Sequence, residues 1–183
     1  MLHPLSFLKQ PLRLGLLTAL LASFFVFASP NDAQAGNFEL HGGFGYLGVF
    51  NKGGDAHGIS VTLSPGFRWD WIGVFLDQNL GGVFSSYDDF YGHRKYNNLF
   101  VGSTIINAKF FYNLGPAELW GQAGIGGAYV EKDGAFGLKL GIGLSVPLSS
   151  FLAIGGDFAY TLAAHRHYTN HFLTLSGHIR LSF

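Results

Sequence analysis

From Phe38 to the last residue, apolar and polar side chains alternate with a period of two, the pattern of strands that show one face to an apolar phase. The alternation is clearest at 136–146, where Phe136, Leu138, Leu140, Ile142, Leu144 and Val146 interleave with Gly137, Lys139, Gly141, Gly143 and Ser145. A first strand carries Phe38, Leu40, Phe44, Tyr46 and Phe50 on one face, and a second carries Ile59, Val61, Leu63 and Phe67. A third sets Val74, Leu76 and Leu80 against Asp77 and Asn79. A fourth, from about Leu99 to Tyr112, sets Phe100, Ile106, Phe110 and Tyr112 against Asn107 and Lys109. The fifth has Leu119, Ile125 and Tyr129 opposite Gln122, and the seventh has Leu152, Ile154, Phe158, Tyr160 and Leu162 opposite Asp157 and Thr161. The eighth has Leu173, Leu175, Ile179, Leu181 and Phe183 opposite Thr174, Ser176, His178 and Arg180. A helix would bring Lys139, Asp157 and Arg180 into its apolar stripe, so these segments are assigned as strands. Each is roughly 11–14 residues long, enough for the ~9–11 that cross a bilayer at a tilt.

The connections alternate in length. Asn51–His57, Ser85–Asn98 and Ala164–His171 are polar and comparatively long, and Glu131–Gly134 is short but charged. Trp69–Trp71, Asn113–Glu118 and Pro147–Ser150 are tight. This asymmetry is expected of an up-and-down barrel in a membrane, with short turns at one end and longer loops at the other.

The first 35 residues follow different rules. Lys9 and Arg13 precede a continuous apolar stretch from Leu14 to Ala28, Pro30 and Asn31 break it, and Ala33-Gln34-Ala35 forms an A-x-A site before Gly36. Residues 1–35 are expected to be a cleaved signal peptide and residues 36–183 a single barrel domain. Removing the leader takes away Lys9, Arg13 and Asp32 and leaves a nearly neutral chain. Charged residues make up 12% of the sequence, against a usual ~25%. With a formal net charge of zero, there is no basic footprint for nucleic acid. The chain contains no cysteine, which removes disulfides and thiolate chemistry.

Alternation alone does not separate a membrane barrel from a soluble one, whose apolar face points inward. Side-chain size does so better: the apolar face holds Phe, Leu, Ile and Tyr, whereas the other holds Gly, Ser, Thr and charges. An eight-stranded lumen has room for the second set. Aromatics gather near both strand ends, with Trp69, Trp71, Phe111, Tyr112, Trp120 and Phe151 by the tight turns and Phe50, Phe84, Tyr129, Tyr160 and Phe172 at the other end. Two such bands match interfacial girdles. The chain ends on Phe183, with alternate apolar residues behind it. On these features residues 36–183 resemble the small bacterial outer-membrane barrels typified by the OmpA membrane domain, OmpX and OmpW, with no motif selecting one subfamily. The resemblance implies an all-β, eight-stranded antiparallel barrel in the outer membrane with both termini in the periplasm. It also implies that Phe183 is a signal for the insertion machinery. The loops look too short for the protruding strands of OmpX.

The inward face is expected to gather Glu39, His41, Arg68, Asp77, Lys109, Lys139, Asp157, His178 and Arg180 into a polar network that plugs the lumen. His165, His167 and His171 in the last loop are weak candidates for a metal site, since imidazoles suit zinc, copper or nickel. In the second loop, Arg94 and Lys95 among tyrosines suit phosphates of lipopolysaccharide. No serine and histidine are spaced as a nucleophile and its base. Gly124-Ile125-Gly126-Gly127 lies within a strand, so it is not a phosphate loop. The expected function is therefore non-enzymatic, in envelope structure or surface interaction, with no cofactor. Outer-membrane lipids, lipopolysaccharide and the insertion machinery are the expected partners of a monomer. The alternatives are a narrow channel for small or apolar solutes and a lipid-modifying enzyme.

Overall fold

The computed structural model describes residues 36–51, 54–88, 94–130, 133–166 and 169–183. Eight strands follow in chain order: β1 (Asn37–Asn51), β2 (Gly54–Trp69), β3 (Ile72–Asp88), β4 (Arg94–Asn113), β5 (Glu118–Val130), β6 (Asp133–Pro147), β7 (Leu152–Ala164) and β8 (Thr169–Ser182). Each pairs antiparallel with the next, and β8 closes on β1 from Glu39↔Ser182 to Phe50↔His171, so no sheet edge is left open. This is the barrel expected from the period-two pattern, with the expected strand count. Residues 1–35, expected to be a leader, lie outside the described residues.

The polarity of the wall is that of a membrane barrel. Leu140 is 62% exposed on the outside and its neighbour Lys139 is 6% exposed on the inside. Phe44, Ile59, Val61, Leu80, Phe100, Ile106, Ile125, Ile142, Phe158, Leu175 and Ile179 also face outward. An apolar outer wall of this extent is stable only against lipid.

The tight turns are chemically specified. Trp69 pairs with Ile72, leaving a two-residue turn in which Asp70 takes a positive φ of 50°. Asp tolerates that conformation, and the twist it imposes suits a short hairpin. At the next turn on this end, Gly115 has φ 89°, and its N–H donates to Asn113 Oδ1 at 2.7 Å. The opposite end departs from expectation. The segments expected to be loops are largely strand: β1 runs to Asn51, paired with Gly54, and β3 and β4 stay paired out to Asp88↔Arg94. The β3–β4 hairpin, with strands of 17 and 20 residues, therefore projects well past the aromatic ring. Antiparallel pairing carries a strand beyond the point where its apolar face stops, because backbone hydrogen bonding continues without it.

The lumen corrects a second expectation. Large apolar residues are not confined to the outside. Towards the long-hairpin end, Leu47, Val49, Ala56, Val83, Val101, Ala128, Ala163 and Phe172 form a buried apolar layer across the lumen. Towards the tight-turn end, Phe75, Phe111 and Trp120 form a second cluster. Phe111, Trp120 and Phe172, expected in the girdles, thus point inward. Small residues make the room. A Cβ on Gly81 would lie 2.5 Å from Leu47 Cδ2, and one on Gly137 would lie 2.8 Å from Ile105 Cδ1.

Candidate functional site

The chemistry-bearing side chains lie inside the barrel, and the inward phase of the strands puts them there. The nine residues expected in the lumen all face inward. Beside the tight turns, Arg68 at the end of β2 holds Glu118 at the start of β5 with two hydrogen bonds, Nη1 to Oε1 at 3.0 Å and Nη2 to Oε2 at 2.6 Å. Arg180 on β8 donates to the same Oε1. Glu39 lies 3.6 Å from Arg68 and accepts from His41 Nε2 at 2.9 Å. The Arg68 guanidinium stands 4.0 Å over the Phe111 ring. Planar guanidinium suits both contacts, pairing in its plane and stacking on its face.

Further in, Asp77 on β3 accepts from Lys139 Nζ on β6 at 2.7 Å and from Ser64 Oγ, with Lys109 Nζ at 3.7 Å. Lys109 donates to Ser64 Oγ at 3.1 Å and His41 Nδ1 at 3.4 Å, and sits over the rings of Phe75 and Trp120. An ammonium only donates, so His41 Nδ1 accepts and the ring proton is on Nε2, which donates to Glu39. On the neighbouring wall, Asp157 accepts from Ser176 Oγ at 2.7 Å, and His178 Nδ1 lies 3.5 Å from it. His178 stacks on His41 with centroids 6.0 Å apart.

Glu118 was expected to be a turn residue. It is the fourth lumen acid, and with it Glu39, Asp77, Glu118 and Asp157 balance Arg68, Lys109, Lys139 and Arg180. Two steps of the strand period back from Gln122 through Trp120 reach Glu118, but the Gly115-Pro116 turn signal immediately before it hides that phase. Uncompensated charges in such a lumen would be strongly disfavoured, and charge balance removes much of that cost, while Arg180 Nε and Gln122 Oε1 remain buried without a hydrogen bond among the described residues.

This arrangement leaves little space. A cavity of about 20 Å³ is lined by His41, Lys109, Trp120, Gln122, Asp157 and His178, among others. That is room for about one water molecule, which needs ~10–15 Å³. The groups are not ordered as an acyl-transfer set either. Ser176 and His178 both address Asp157, so the histidine does not stand between serine and acid. Ser64 gives its proton to Asp77, and both nitrogens of His41 are engaged.

Of the loop candidates, two are described. His171 lies on the outer face of β8, its Nδ1 accepting from the Tyr160 hydroxyl. His165 follows β7, and His167 lies outside the described residues. Among the described residues, no group of three His, Asp or Glu is placed to hold a metal ion. A second outward pair of the same kind joins Tyr46 to His57 Nδ1 at 2.5 Å. The side chains of Arg94 and Lys95 lie outside the described residues.

The sequence matches no family profile and no curated protein. Among solved structures, the barrel is similar to neisserial surface protein A, with a TM-score of 0.66 at 15% identity over 80% of this chain and 97% of that one. It is also similar to Ail, the attachment invasion locus protein of Yersinia pestis, at 15% identity over 80% of this chain and 99% of that one, with a TM-score of 0.47. The N-terminal β-barrel domain of Pseudomonas aeruginosa OprF follows at 13% identity over 81% of this chain and 99% of that one, with a TM-score of 0.45. The first of these shows the fold, that of small eight-stranded outer-membrane barrels.

Proposed function

We propose that this protein is a non-enzymatic outer-membrane barrel that works as a sealed body, through its lipid-facing wall and its projecting hairpins, in envelope structure or surface contact. The observation that carries this reading is the lumen. Ion pairs run from the tight-turn end to mid-barrel around Phe75, Phe111 and Trp120, an apolar layer lies beyond them towards the long hairpins, and the cavity beside Asp77 and Lys139 holds about one water. A solute path would have to break buried ion pairs and displace Leu47, Val83, Val101 and Phe172 together. The fold it shares with neisserial surface protein A supports placement in the outer membrane. In this reading, residues 1–35 are removed after Ala35, both ends of the mature chain stand in the periplasm, and the long hairpins reach out among lipopolysaccharide.

Reconstitution into planar bilayers tests the sealed lumen. The expected record shows no discrete conductance steps above the lipid baseline. Reproducible unitary currents from folded protein would overturn it in favour of a channel. Lipid A from cells with and without the protein is expected to have the same mass spectrum, and a protein-dependent mass change would establish an enzyme instead.

A further inference from the structure

Between the two aromatic rings, the outward positions of the described strands are apolar or glycine with one exception, a pair. Gln78 on β3 and Thr104 on β4 both face outward and are directly opposite in the register. Thr104 Oγ1 donates to Gln78 Oε1 at 3.1 Å. No hydrogen bond from the Gln78 amide nitrogen occurs among the described residues, and its outward neighbours Leu63, Leu76, Leu80 and Ile106 offer no acceptor side chain. Gln78 lies about midway between Trp71 and Phe84, at the depth where lipid is hydrocarbon and supplies no acceptor either. Beside the pair, small residues flank a single ridge. Ala108 on β4 and Gly121, Ala123 and Gly127 on β5 face outward on either side of the paired Ile106 and Ile125, and a Cβ on Gly127 would meet nothing within 4 Å. On β6 the outward residues are tall: Phe136, Leu138, Leu140 and Ile142.

We propose that the β3–β5 face is a contact between two copies of this chain inside the bilayer, with the Gln78 amide of each donating to the Gln78 carbonyl of the other across a two-fold axis. The choice of a second copy rests on self-complementarity. A primary amide carries both donor and acceptor, and a two-fold axis sets a group opposite its own copy. Thr104 holds the carbonyl in place, and the hollows beside the Ile106–Ile125 ridge give a second copy's ridge somewhere to seat. In membranes, small residues and side-chain amides are what drive such association. The proposal replaces the monomer expected from the sequence, and it rests on this wall facing lipid.

Association of the folded mature protein in lipid vesicles, counted by single-molecule photobleaching over a range of protein-to-lipid ratios, is the test. Wild type is expected to form dimers. Gln78→Leu, which suits lipid and should fold, is expected to lower the association constant roughly 3- to 30-fold, the range of measured polar contacts between membrane segments. Thr104→Val should lower it less. Because the chain has no cysteine, Ala108→Cys and Leu140→Cys each introduce a single thiol. A bifunctional thiol reagent should link copies through position 108 and not through 140. Wild type that stays monomeric at every ratio, dimers indifferent to Gln78→Leu, or equal linking at both positions would overturn the proposal. Failure of a lipid-soluble quencher to reach a fluorophore at position 140 would instead overturn the membrane reading, whatever the state of association.

Discussion

Lys139 on β6 reaches across the lumen to Asp77 on β3 and donates to its carboxylate at 2.7 Å, tying together two strands that are not neighbours in the sheet. Both side chains are almost wholly buried. Removing Asp77 therefore leaves Lys139 and Lys109 without their shared carboxylate, whereas removing Lys139 leaves Asp77 with Lys109. Asp77→Ala is expected to lower unfolding stability in lipid vesicles by about 3–5 kcal/mol. Asp77→Ala combined with Lys139→Met should cost clearly less than the two single changes added together. Urea unfolding of the three variants measures this, and strict additivity would show the pair to be uncoupled.

Glu118 is gripped by two guanidinium groups at the tight-turn end, where its carboxylate is slightly more open to solvent. Glu118→Gln should cost roughly 1.5–3 kcal/mol, the range for hydrogen bonds to charged groups. Arg68→Lys should recover only part of the wild-type stability. An ammonium cannot hold both carboxylate oxygens in one plane or stack on Phe111 as guanidinium does. Equal stability of Arg68→Lys and wild type would show the bidentate geometry to be immaterial.

The two faces of β6 should respond oppositely to charge. Leu140→Arg places a cation on the lipid-facing wall and should cost about 2–4 kcal/mol. Lys139→Arg keeps its charge in the lumen and should cost less, limited by its fit to Asp77. Spin labels at 139 to 142 give the sharper answer. Those at 140 and 142 should meet lipid-soluble oxygen and those at 139 and 141 should not.

Phe183 closes the barrel with a single backbone bond, its N–H donating to Phe38 O at 2.8 Å, and a ring contact to Phe38. Its side chain is otherwise exposed. Deleting it should change the stability of barrels refolded in detergent by only about 1 kcal/mol, the worth of one hydrogen bond. If Phe183 is read by the insertion machinery, the same deletion should sharply reduce the amount of heat-modifiable protein in outer membranes of cells. Parallel small effects in both assays would count against that role.

The strand pattern made the barrel, its closure and the inward phase of Lys139, Asp157 and Arg180 legible, because a charged residue between two apolar ones fixes which face is which. Where two apolar residues are adjacent, that information is lost. Phe110 and Phe111, or Ile105 and Ile106, read equally well in either phase, so the apolar layers inside the lumen were invisible along a single strand. They become apparent only when β1, β3, β4 and β8 bring Leu47, Val83, Val101 and Phe172 to one level. Gln78 beside Asn79 is the polar version of the same ambiguity. The extended hairpins were hidden for another reason: their pairing is held by backbone groups, which are the same for every residue.

The equal numbers of acids and bases within the barrel also bear on how such a sequence can drift over generations. On the outer wall, one apolar residue can replace another without consulting its neighbours, since lipid adapts to shape. Inside, Asp77 and Lys139 belong to different strands and lie far apart in the chain, yet Asp77 cannot be lost alone without stranding Lys139 and Lys109. Viable descendants are therefore reached by trading an acid and a base together, or by passing through a weakened form. The lumen should record a history of linked exchanges, and the outer wall a history of independent ones.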